Sequence, residues 1–259
     1  GEEFLIPDYR LFDFGIYTTV SKSLGAWTLN GGVRYDHRRI DARHFNGITG
    51  SIGTVWNMND HLNLRFNLAR GFRTPNMSEL ASDGVHEGSY RYELGNYQLK
   101  AEYSMQADLG LDFTSRFVSA QVALFANHID NYIFLQRSDQ VIDPDYHTYV
   151  YTQGDARLLG FECGVDLHPI HSVHFANTFS YVNAQLLHQP EDTRYLPFTP
   201  APRWTSELKW ELTHHAHSTI NHDHANHHHF HRGLSLNNTY LSANIECYLR
   251  QNNIHRANG

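Results

Sequence analysis

The feature that most constrains this chain is a two-residue rhythm of apolar and polar side chains, kept up in segment after segment. Leu62, Leu64, Phe66 and Leu68 alternate with His61, Asn63, Arg65 and Asn67. Further on, Tyr103, Met105, Ala107, Leu109, Leu111 and Phe113 alternate with Ser104, Gln106, Asp108, Gly110 and Asp112. Side chains on a strand point to opposite faces with period two, so each segment makes a strand with one greasy face and one polar face. Helix period would scatter these residues around the axis. The fold class is therefore all-β.

Read in order, the rhythm predicts an antiparallel meander of about ten long strands. They begin at Phe12–Val20, Trp27–Tyr35, Ile48–Trp56, Leu62 and Tyr103, and continue from Val118, Thr148, Val173 and Arg203, with a tenth over Leu234–Leu249. The spacing predicts connections that alternate short and long, the second being a longer stretch over Arg39–Asn46. The longest early connection, Arg70 to Glu102, is rich in Gly, Arg, Glu and Tyr, and loops of that length between regular strands are usually functional or disordered. The polar face carries Arg34, Asp36, Arg65, Asp108, Asp112, Glu162, Asp166, Arg203, Glu207 and Lys209. Trp27, Tyr35, Trp56 and Trp204 recur near the ends of the apolar faces, where a membrane interface favours amphipathic rings.

Composition narrows the class. Mean hydropathy is −0.51 and no apolar run reaches the roughly 18 residues of a membrane helix, which excludes helical membrane proteins but not transmembrane barrels. Net charge is −7 over 259 residues and the basic residues are dispersed, so nucleic acid is not an expected partner. Cys163 and Cys247 are read as two small apolar residues on strands that are not neighbours. No charged-then-apolar leader opens the chain, so a secretion signal is expected to be removed or to lie outside it.

The central stretch resembles the TonB-dependent receptors of bacterial outer membranes. The residues that carry the likeness are Ala69-Arg70-Gly71-Phe72-Arg73-Thr74-Pro75, Ser78-Glu79-Leu80, Gly84-Val85-His86 and Glu93-Leu94-Gly95-Asn96, followed by Leu99, Lys100 and Glu102. Gln153-Gly154-Asp155-Ala156, Gly160-Phe161-Glu162 and Asp166-Leu167-His168-Pro169 look like a later strand pair of the same barrel. Leu196-Pro197, Pro200 and Pro202-Arg203 look like the approach to the next strand. The resemblance implies a 22-stranded transmembrane β-barrel around a plug, taking up metal complexes or vitamins with energy from TonB. Residues 1–259 would then be a partial barrel, without the plug, without the remaining strands and without a terminal aromatic residue after Arg256.

Candidate site residues fall into two groups. Arg70, Arg73, Glu79, His86 and Glu93 are candidates for contact with cargo at the rim; salt bridges of the arginines to Glu79 or Glu93 are the plainer alternative. Gly71, Gly84, Gly88 and Gly95 are expected to serve backbone turns. The second group is a His-rich loop over residues 214–231. It holds nine of the chain's 20 histidines: His214, His215, His217, His222, His224, His227, His228, His229 and His231, with Asp223 among them. Neutral imidazole is the commonest protein ligand for zinc, copper and nickel, and H-x-H pairs put both rings on one side of an extended chain.

The expectation is a non-enzyme of the bacterial outer membrane that needs no cofactor. Its partners would be outer-membrane lipid, the TonB complex through the missing plug, and a metal or metal-complex ligand, with zinc favoured as cargo and an iron complex next. Two other classes are weighed against it. A barrel hydrolase would need a partner for serines such as Ser104 or Ser119, and none is evident. A soluble β-sheet protein binding metal or glycan would have to bury its apolar faces.

Overall fold

The computed structural model describes residues 5–212 and 239–254. Its frame is a ten-strand antiparallel meander: β1 (Leu11–Leu24), β2 (Trp27–Ile40), β3 (Arg43–Asn59), β4 (Leu62–Arg73), β7 (Glu102–Thr114), β8 (Val118–Arg137), β9 (His147–Ile170), β10 (Val173–Leu186), β11 (Arg203–Glu211) and β12 (Tyr240–Tyr248). Each strand pairs with the next, and the sheet stays open, with β1 and β12 at its margins. The loop after β4 adds a short helix, α1 (Met77–Ala81), and two small strands, β5 (Asp83–His86) and β6 (Arg91–Leu94). These two pair with each other, and β6 runs parallel to the start of β9, Arg91 beside His147 and Leu94 beside Val150.

Pairing keeps like faces together. Leu64 stands opposite Leu111, Leu111 opposite Val122, Val122 opposite Cys163, and Cys163 opposite Phe179, so one apolar face runs unbroken across five strands. Among the described residues no second layer covers it: Val20 is 68 % exposed, Ile52 64 % and Leu208 48 %. A water-soluble sheet of this size would bury that face, whereas a transmembrane barrel turns it to lipid. Along β2 the stretch from Trp27 to Tyr35 measures about 27 Å at ~3.4 Å per residue, enough to cross most of an apolar band roughly 25 Å tall when tilted. Trp27 and Trp56 stack at 5.0 Å at one edge of this band.

The opposite face is concave and charged. Arg38 clamps Asp13, Arg65 clamps Asp112, Arg34 pairs with Asp36 and Arg203 with Glu246, at 2.6 to 3.0 Å. Cys163 and Cys247 are free, with β10 and β11 lying between their strands.

The expected longer connection at Arg39–Asn46 is not there. β2 and β3 continue through it and reverse at Asp41-Ala42, Asp41 taking a left-handed φ of 49°. The apolar rhythm stops at Tyr35 because the strands have left the lipid band, not because they end. Tyr35 and His37 both contact Asn46 there, a polar pairing that hydropathy reads as loop. β8 likewise runs on to Arg137, through a register slip between Ile129 and Tyr132. The described part of the tenth strand starts at Tyr240, so that residues 234–238 of the expected span, like Arg256, fall outside the described residues.

Among the described residues, the buried apolar side chains gather at one rim, where the long connections are. One cluster joins Ile40, Phe45, Met77, Leu80, Leu99 and Ile133; the other joins Phe134, Ala156, Ala184, Leu186 and Leu196. The opposite rim has two- and three-residue turns at 25–26, 60–61, 115–117 and 171–172. The connection from β11 to β12 also leaves and returns on that rim: Leu212 N–H donates to Thr239 O at 2.8 Å, and Glu211 N–H to Ser172 O at 2.7 Å.

Candidate functional site

The motif-bearing loop packs at the long-loop rim, and its charges meet at Arg73. The guanidinium grips Glu102 with two hydrogen bonds of 2.7 and 2.6 Å and Glu79 with two of 2.9 Å. Bidentate pairing of this kind fixes geometry as well as charge. Glu79 also closes a capping box on α1: Asn76 Oδ1 accepts from Glu79 N–H, and Glu79 Oε2 accepts from Asn76 N–H. Glu102 further accepts the backbone N–H of Ile133 at 2.6 Å, which ties the loop's base to β8. Pro75 and Leu80 are fully buried beneath this network.

Gly95 is required by close approach and not by a turn. A Cβ there would run into the backbone of Leu80, Ala81 and Ser82, and its N–H donates to Ser82 O at 2.7 Å. Among the described glycines only Gly25 has the left-handed backbone expected of turn glycines. Gly71 and Gly84 lie within β4 and β5, so the turn role expected of them is not what the backbone shows, whereas Gly88 does lie in a turn, the 3-10 turn Glu87–Ser89 between β5 and β6.

Glu93 is 3 % exposed. Arg91 Nε donates to it at 2.7 Å, the Tyr151 hydroxyl donates at 3.0 Å, and His86 Nδ1 stands 3.5 Å away. Burial, reinforced by the Glu93 carboxylate, pushes the Tyr151 phenol above its ordinary pKa. His86 Nδ1 meets Ser89 Oγ at 2.6 Å. Arg70 lies apart from these, on the face of Leu68 and Phe72. It donates to Ile48 O at 2.8 Å and lies over the Tyr103 ring at 4.7 Å. An arginine at that height can keep its charge in the polar layer while its stem lies along the wall. Of the five rim candidates, Arg73 and Glu79 share one network, His86 and Glu93 a second, and Arg70 neither.

The metal candidates His214, His215, His217, His222, Asp223, His224, His227, His228, His229 and His231 lie outside the described residues. Their anchors, Leu212 and Thr239, lie on the short-turn rim. Among the described residues, one other group brings metal-ligating atoms together: Asp166, His168 and His174, one atom from each within 4.8 Å of the others. Sequence reading placed Asp166 on the polar face and did not connect it with the two histidines. Asp166-x-His168 on one strand face, with His174 just past the turn, was the available signal.

With this geometry in place, comparison identifies the frame. The family model described as TonB dependent receptor-like, beta-barrel matches residues 3–245. The chain belongs to that family, and its place is the bacterial outer membrane. Similar solved structures include the copper transporter OprC, at 18% identity and a TM-score of 0.67, covering 78% of this chain and 32% of that one. The FrpB iron transporter from Neisseria meningitidis (F3-3 variant) matches at 16% identity and a TM-score of 0.59, covering 80% and 31%. The siderophore receptor PirA from Acinetobacter baumannii matches at 18% and 0.59, covering 78% and 31%. The chain thus spans about a third of the length of these proteins, which are named as transporters and a receptor.

Proposed function

We propose that this chain is part of the wall of a TonB-dependent transporter that carries a metal ion or metal complex across the outer membrane, with zinc as the preferred cargo. Family membership supports the transport half, together with a wall that is apolar outside and ion-paired inside. The observation that carries the cargo is the run of nine histidines from His214 to His231. In this reading the ten strands are part of a 22-stranded barrel, residues 214–231 form a His-rich loop, and the plug that engages TonB is contributed by another part of the receptor. Zinc is cargo here, and no cofactor is needed. Arg70, Arg73, Glu79, His86 and Glu93 remain rim candidates; His86 is the most available, because Arg73, Glu79 and Glu93 are held in ion pairs and Arg70, on the outward face, donates to Ile48 O.

An iron complex is the second reading, since two similar structures are named as an iron transporter and a siderophore receptor. The test is growth and metal accumulation in cells that depend on the full receptor. Zinc-limited growth should require both the receptor and TonB, and should weaken when the nine histidines are changed to asparagine. Zinc accumulation that is the same with and without the receptor would remove the first reading, and rescue of iron-limited growth instead would install the second.

A further inference from the structure

At the short-turn rim β9 and β10 are joined by His171-Ser172, and their pairing slips: Val173 stands opposite Ile170, but Phe175 stands opposite Leu167. Two residues of β9, His168 and Pro169, therefore face His174 alone. That is a β-bulge, a feature common at barrel rims and able to re-aim a side chain. Pro169 suits it, because a bulge leaves one residue without a ladder partner and proline has no N–H to give.

The bulge gathers three side chains. His168 Nδ1 lies 2.9 Å from His174 Nδ1, with ring centroids 4.7 Å apart and planes at 85°. Asp166, two residues earlier on the same strand face, holds Oδ2 at 3.5 Å from His168 Nε2 and 3.7 Å from His174 Nδ1. These separations are too long for good hydrogen bonds. Asp166 Oδ1 is buried and has no hydrogen-bond partner. A buried carboxylate oxygen left unmatched is costly, and here it stands beside two imidazoles that do not satisfy it.

We propose that Asp166, His168 and His174 hold a divalent transition-metal ion on the inner face of the barrel, at the rim of short turns. Donors in a tetrahedral zinc site stand about 3.3 Å apart at bond lengths of ~2.0–2.1 Å. His168 turns Nδ1 to His174 at 2.9 Å and Nε2 to Asp166 at 3.5 Å, so one ion takes one of these nitrogens; one ligand atom from each of the three residues lies within 4.8 Å of the others, a spacing that small side-chain rotations close to that value. Two imidazoles and one carboxylate suit zinc, copper or nickel better than calcium or magnesium, and three protein ligands leave a coordination position open. The nearby charges permit it. Lys209 is the β11 register partner of His174, but its ammonium is held by Glu211 at 3.0 Å and lies over the Tyr240 ring at 4.9 Å. Across β8, the residue opposite Asp166 is the neutral Ser119.

The binding rests on this ligand set and not on the uptake reading, so the two fail separately. The experiment uses the full receptor in detergent with the nine histidines of residues 214–231 changed to asparagine, which leaves the triad as the variable. Zinc calorimetry should show an equivalent that His168→Ala/His174→Ala removes. Asp166→Asn should weaken it by at least about tenfold, the lower end of what even outer-shell changes cost at zinc sites. Cobalt(II), as a coloured probe, should lose the matching visible absorption. Heat-modifiable gel mobility reports whether each barrel is folded, and His168→Asn/His174→Asn keeps polar side chains at the bulge should the alanine pair misfold. Zinc stoichiometry and affinity unchanged by both double variants, in folded barrels, would overturn the site.

Discussion

Two polar clusters occupy opposite rims of the same sheet, and they are built differently. At the long-loop rim Arg73 meets Glu79 and Glu102 with four hydrogen bonds of 2.6 to 2.9 Å, and a helix cap and the Ile133 N–H use further lone pairs. At the short-turn rim Asp166 reaches its two histidines only at 3.5 and 3.7 Å and leaves one oxygen unmatched. The first cluster is complete in itself and sits on a buried apolar layer that includes Leu80 and Ile133. The second has donors to spare and no such layer. Charge alone does not separate a clamp from a site; the fraction of lone pairs already used does.

The comparison can be broken most directly at Arg73. Arg73→Ala leaves Glu79 and Glu102 nearly buried without their cation. Losing one partner of a buried pair costs about 3–5 kcal/mol, and the partial exposure of Arg73 lowers the expectation to about 2–3 kcal/mol. Urea unfolding of the receptor in vesicles would measure it, and a loss below about 0.5 kcal/mol, ordinary for a surface change, would refute the clamp. A smaller effect is expected beside the other rim. Trp56→Ala removes the ring stacked on Trp27, a pair contributing about 1 kcal/mol beyond its buried area, readable in the same unfolding curve. The smallest belongs to Asp166→Asn without metal, which should stay within about 0.5 kcal/mol of the parent. A large loss there would make the second cluster a clamp after all.

The lipid-facing wall was legible because lipid imposes a strict period of two. Leu62 to Phe113 pair as their alternation requires, and Arg65, Asp108 and Asp112 share the inner face. What lay outside the lipid band was not legible. Above Tyr35 nothing forces the outward residues of β2 and β3 to be apolar, so their continuation to Asp41 reads as loop. The loop after β4 hid α1, β5 and β6, because elements so short carry too few residues to show a period. The Asp166–His168–His174 group escaped for a narrower reason. Alternation places each residue on the inner face of its own strand, but only the two-against-one pairing at His168-Pro169 brings the strands' histidines into contact. A slip of one residue leaves no mark in composition.

The two margins of the described sheet limit the surroundings in which it can stand. Along β1 and β12 the backbone has strand partners on one side only. Water can serve the other side while the chain is in transit, but hydrocarbon offers nothing in exchange for it. In hydrocarbon, β1 and β12 therefore each call for a further strand alongside, and the wall is whole only in company.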